Sequence, residues 1–196
     1  MPLPLRAGMS PSLILTPRRP QRIGATGERR NTPAVVSCQV SRLAHVLEAA
    51  AHQGADLAVI DTPGKSTDAL IAAAKAAHFV LMPIQPQLYD IETLASLKDV
   101  LMLAGNPPAA VFVNRAPIQG QRHTETQAAA AAQGFAVCPV VLFARAAHGD
   151  AGNIGQVAAE YDPDGKAAQE MADLYAYSYT SLKEKKHEEK RISRRA

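Results

Sequence analysis

Asp61 closes the apolar run Leu57 to Ile60 and is followed by Thr62, Pro63 and Gly64. A carboxylate at the C-terminal end of a parallel strand stands where open α/β sheets place their ligands. It can hold Mg2+ through water, because Mg2+ takes oxygen ligands and keeps several of its waters. Asn114 closes a second apolar run, Ala110 to Val113, and Arg115 follows it. A side-chain amide offers both a donor and an acceptor to a base such as adenine. Other strand ends bring Cys38, the stretch Pro83 to Gln87 with Gln85 and Pro86, and Ala144-Arg145. Each residue alone is a common turn or cap residue. Their convergence on strand ends exceeds what packing requires.

The elements that must position these residues follow from the apolar pattern. Short strands are expected at Ala34 to Ser37, Leu57 to Ile60, Phe79 to Met82, Ala110 to Val113 and Val140 to Phe143. Pro83 is read as the stop of the third. Between them lie helix patterns from Ser41 to Gln53, from Ser66 or Thr67 to Ala77, from Ile91 to Ala104 and from Thr124 to Gln133. A loop rich in Gly and Ala follows Phe143, then a helix from about Gly165 to Lys185. Near-continuous apolar strands alternating with amphipathic helices predict an α/β, doubly wound, mainly parallel sheet with helices on both faces.

The 196 residues suffice for about one domain with a real core. No apolar run approaches the roughly 20 residues of a membrane span, and Pro2, Pro4 and Pro11 break up any signal-like apolar stretch. A cytoplasmic location is therefore expected. Cys38 and Cys138 are read as reduced, buried thiols. His45, His52 and His78 lack the spacing of metal ligands. Charge is uneven: residues 1–30 hold six arginines and one glutamate, and residues 183–196 hold seven Lys or Arg and three glutamates. The stretch between is acidic. The expected organisation is a divergent, disordered basic segment at 1–33, an α/β domain at 34–182 and a charged tail at 183–196. Basic ends favour nucleic acid through phosphate charge, which makes Lys185, Lys186 and Arg191 candidate DNA contacts, and Arg122 and Arg145 of the middle stretch are candidates beside them. The basic ends serve equally as solvated tails. Tyr175, Tyr177 and Tyr179 are read as packing residues, and Lys65 as solvent-facing.

Four segments occur in order: DLAVIDTPG, VLMPIQPQLYDIETL, AAVFVNRAP and AAEYDPDGKAAQEMADLY. Together they resemble the ParA/MinD family of deviant Walker-type ATPases, above all the plasmid-partition ParA proteins, over about residues 34–180. The resemblance implies a P-loop NTPase-like fold, ATP and Mg2+ as cofactors, a homodimer, non-specific DNA and a ParB-like centromere-binding partner. It implies a Walker B strand at VIDTP, with Asp61 on the Mg2+ water shell and Thr62-Pro63 starting the phosphate-sensing switch. Gln85, Pro86 and Asp90 would flank the nucleotide and the dimer interface. Asn114-Arg115 matches the pair that contacts adenine, and EYDPDGKAAQE the segment that covers the base.

The family's glycine-rich loop of the form KGGxGKT/S, which cradles phosphates with backbone N–H groups and lysines, has no counterpart here. Gly24-Ala25-Thr26-Gly27 lacks the lysine, and at Leu13 to Pro17 the proline has no N–H to donate. Two accounts fit: a truncated or frame-shifted ParA reading, or a divergent relative that has dropped hydrolysis. Leu13 to Thr16 is the candidate to replace the lost strand. The functional expectation is a ParA-like partition protein with impaired ATPase chemistry, the alternative a non-catalytic module that binds DNA or a partner.

Overall fold

The computed structural model describes residues 12–17, 34–62 and 66–193, with side chains for 34–62 and 66–183. Pro63, Gly64 and Lys65 lie outside the described residues. The chain divides into two compact units, one of residues 1–77 with 103–105 and the other of 78–102 with 106–196.

In the first unit the apolar stretches form β1 (Ser12–Pro17), β2 (Ala34–Ser37) and β3 (Ala55–Asp61), in sheet order β2-β1-β3. β1 runs antiparallel to both neighbours, with Leu13 opposite Val36 on one side and Ile60 on the other. β2 and β3 therefore point the same way with one strand between them. The expectation of a mainly parallel sheet does not hold for this unit. Leu13 to Leu15 is too short and too closely flanked by prolines for a helix, and its backbone supplies the ladder that β2 and β3 would otherwise lack.

α1 (Leu43–His52), entered through a 3-10 turn at Val40–Arg42, and α2 (Thr67–Ala76) pack on this unit's core. Leu43 and Ala73 are buried with Cys38, and Val36, Val46, Leu47 and Ile60 close around them. Ser66 caps α2: its Oγ accepts the Ala69 N–H at 3.4 Å. The period of two in β2 and β3 sends Val36 and Ile60 into this core and leaves Val35 and Val59 exposed.

The second unit holds a parallel sheet, β4 (Val80–Ile84), β5 (Ala109–Ala116) and β6 (Val137–Phe143), in that spatial order. α3 (Leu88–Leu103) joins β4 to β5, and α4 (Arg122–Ala132) joins β5 to β6. Two crossovers of one hand between successive neighbours put both helices on one face. There Leu94 and Leu101 of α3 and Ala130 of α4 meet Met82, Ile84 and Val111. On the other face Phe112, Cys138 and Leu142 meet Leu174 and Tyr177 of α7 (Lys166–Ser193). This unit is α/β, with a parallel three-stranded sheet flanked by helices. Burial raises the Cys138 thiol above its usual pKa range, and raises the Tyr177 phenol likewise.

Several boundaries differ from the sequence reading for identifiable reasons. Pro83 does not stop β4, and β6 runs through Pro139, because both lie on the two edge strands of the sheet, where a missing N–H costs no ladder bond. The stretch after Phe143 contains α5 (Ala146–Asn153) and a single turn, α6 (Ala158–Tyr161), not only loop. α7 continues through the charged stretch to Ser193. Of the three tyrosines read as packing residues, only Tyr177 packs; Tyr175 and Tyr179 are exposed. Among the described residues no helix is long and apolar enough to cross a membrane.

Candidate functional site

β4 and β5 are adjacent and parallel, with Ile84 opposite Val113. Gln85 and Asn114 are therefore the next residues out, side by side at the C-terminal edge of the sheet. This is the position at which a parallel sheet offers polar groups to a ligand.

The loop after β4 is tied down locally. The Gln85 N–H donates to Asp90 Oδ2 at 2.7 Å, and the Gln87 N–H donates to the Gln85 carbonyl at 2.8 Å. Asp90 sits in the first turn of α3, where its negative charge also suits the positive end of the helix dipole. One carboxylate thus fixes both the helix start and the approach of Gln85 and Pro86 to the sheet edge. Leu88 and Tyr89, on the same first turn, are exposed.

β5 ends in an irregularity. Val113 pairs with Val141 and Ala116 with Phe143, so three steps along β5 match two along β6. The extra residue is a bulge at Asn114-Arg115, and Arg115 takes φ 54, the left-handed region. Bulges re-aim side chains, and strain of this kind collects at functional positions. Asn114 is half-buried and Arg115 exposed. Arg115→Gly is expected to leave the unit as stable or to stabilise it by up to about 1 kcal/mol, since glycine adopts a positive φ freely. Thermal unfolding measures this. A clear loss would show that the Arg115 side chain holds the fold and is not spared for a ligand.

Arg145, after β6, is committed within the chain. Its Nε donates to Glu170 Oε1 at 2.7 Å and its terminal nitrogen lies 2.6 Å from the same oxygen. Glu170 Oε2 accepts the Phe143 N–H at 3.1 Å. The guanidinium also lies over the Phe143 ring, 5.4 Å from its centroid. Glu170 of α7 thus clamps the end of edge strand β6, and Arg145 neutralises it there. Arg122, the first residue of α4, is exposed, and its carbonyl accepts the Thr126 hydroxyl at 2.8 Å. Lys185, Lys186 and Arg191 lie on the C-terminal part of α7.

Asp61 ends β3 in the first unit with an exposed side chain, and Thr62 follows half-buried. The residues read as one site therefore fall on two units. Gln85, Pro86, Asn114 and Arg115 stand together on the second, and Asp61 and Thr62 on the first. Sequence reasoning missed a shallow cleft of about 500 Å3 between α4, β6 and α7, lined by His123, Thr124, Gln127, Glu170 and Asp173 among others. The His123 ring meets Phe143 edge-on at 5.4 Å, and its Nδ1 is buried without a hydrogen-bond partner. Among the described residues no group of three His, Cys, Asp or Glu side chains is placed to hold a metal ion. No protein-family model and no curated protein matches the chain.

Proposed function

We propose that the chain is a ParA-like partition protein whose second unit carries the base side of an adenine-nucleotide site. The observation that supports this is the meeting of two strand ends: the Gln85-Pro86 loop, held by Asp90, beside the bulged Asn114-Arg115 pair. A half-buried amide can donate to and accept from one edge of adenine, and an arginine left exposed by the bulge can meet ribose or phosphate oxygens. Asp61 would hold Mg2+ through water, with Thr62 and Pro63 beginning the switch. Without a KGGxGKT/S loop in the sequence, ATP hydrolysis is impaired on this reading. Dimerisation, non-specific DNA and a ParB-like partner belong to the same reading.

Calorimetric titration of the full chain with Mg-ATP tests it. Binding is expected, weakened about tenfold by Asn114→Ala, the value of one to two buried hydrogen bonds. No heat of binding at millimolar ATP would remove the nucleotide from the account. A nucleotide-free module would then be the better reading, favoured by the exposed Arg122 and the lysine-rich end of α7.

A further inference from the structure

α7 is a single helix from Lys166 to Ser193. Its inward side is set by Leu174 and Tyr177, which pack in the core of the second unit, while Tyr175 and Tyr179 are 59% and 42% exposed. These two rings stack on each other, with centroids 5.8 Å apart and planes 12° from parallel. Lys183 Nζ lies over Tyr179, 4.5 Å from the ring centroid. The result is a short ladder along the helix: ring, ring, ammonium. Core packing does not explain it, because the ladder faces away from the core.

The ladder leads into the basic end of the helix. At about 100° per residue, positions Tyr175, Tyr179, Lys183, Lys186 and Lys190 fall within an arc of about 80°. That arc contains no acidic position. Glu170, Asp173, Glu184 and Glu188 fall on the other side of the helix, and Glu189 lies beyond the arc's margin. Tyr175 and Lys190 are about 22 Å apart along the axis. An aromatic stack followed by lysine positions on the same face of the helix matches single-stranded nucleic acid: flat bases for the rings, phosphates at intervals for the ammonium groups. A duplex would use the lysines but offer the rings nothing to stack on.

We propose that the Tyr175–Lys190 face of α7 binds single-stranded nucleic acid, with the open face of the Tyr175–Tyr179 stack taking a base and Lys183, Lys186 and Lys190 holding the backbone. This does not depend on the nucleotide reading: it uses other residues and survives a failed ATP titration.

The test is fluorescence anisotropy of a labelled 20-nucleotide oligo-dT and of a duplex of equal length with the full chain at two salt concentrations. Tyr175→Ala/Tyr179→Ala is expected to weaken oligo-dT binding at least tenfold and to leave the duplex unaffected, since stacking on each base is worth about 1–3 kcal/mol. Tyr175→Phe/Tyr179→Phe should restore it. Lys183→Gln/Lys186→Gln should lower the salt dependence for both ligands. Both tyrosines are exposed, so circular dichroism should find these variants folded. Wild-type binding to the duplex alone, or equal oligo-dT affinity in the wild type and the double-alanine variant, would overturn the proposal.

Discussion

Leu94→Ala is expected to lower the unfolding free energy of the second unit by about 2–5 kcal/mol, the range for emptying a well-packed core site. Leu94 has 0% exposure and sits on the inner side of α3. It is clustered with Met82, Ile84, Val111 and Leu101. Close packing lets such a site relax only in part, so a cavity adds to the lost transfer free energy. Six residues earlier on the same helix, Leu88 is 67% exposed. Leu88→Ala should therefore change stability by no more than about 0.5 kcal/mol. Urea denaturation followed by circular dichroism gives both values, and amide exchange of the β5 residues assigns the loss to the second unit. Equal effects of the two substitutions would contradict the packing of α3 on this sheet.

Glu170→Ala should destabilise the second unit by about 2 kcal/mol. Two groups lose their partner at once: the Phe143 N–H on one carboxylate oxygen and Arg145 on the other. Their side chains are not fully dry, at 20% exposure for Arg145 and 14% for Glu170, which keeps the loss below that of a fully buried pair. Arg145→Ala should cost less, because Glu170 still accepts the Phe143 N–H. Glu170→Gln should fall between, retaining an acceptor for that N–H but not the charge. The double variant should cost less than the two single losses added together. Full additivity in chemical denaturation would mean that Arg145 and Glu170 do not depend on each other. The same pairing alters how Arg145 is regarded as a DNA contact. A guanidinium held by a carboxylate and laid on Phe143 offers less charge to a phosphate than the exposed Arg122.

How much of this was legible in the sequence varies with the kind of signal. The second unit was close to readable. FVLM, AVFV and VVLF are short apolar runs with no period of their own, and the helices between them repeat their apolar residues every three or four positions. Length and punctuation alone therefore place β4, α3, β5, α4 and β6 within a few residues. The candidate residues Gln85, Pro86, Asn114 and Arg115 were found because strand ends are where such sheets keep polar groups. The bulge that turns Arg115 into the left-handed region was not legible. It arises from the pairing of Val113 with Val141 and Ala116 with Phe143, and no local residue announces it. The role of Pro83 and Pro139 was likewise hidden, since a proline breaks a central strand and is tolerated at an edge, and edge position is a property of the assembled sheet.

Charge was the most ambiguous signal. In the sequence, Arg145 and the lysines of 183–196 form one class of free cations. The fold separates them, because Glu170 lies 25 residues from Arg145 and is brought to it by the packing of α7 on β6. The tyrosines separate for a similar reason. Three tyrosines at alternate positions carry no sign of which one faces inward until the helix is set against Cys138 and Leu142.

By itself the sequence determined the alternation of strands and helices, the unbroken apolar strands of a covered parallel sheet, and the polar residues that close them. These depend on periodicity and local sterics, which the chain carries residue by residue. The tertiary structure alone decided that Ser12–Pro17 runs antiparallel between β2 and β3, that β5 bulges at Asn114-Arg115, that Arg145 is neutralised, and that Tyr175 and Tyr179 stack in the open. Each of these depends on which distant segment lies alongside, and pairing partners are fixed by packing across the fold, not by neighbours in the chain.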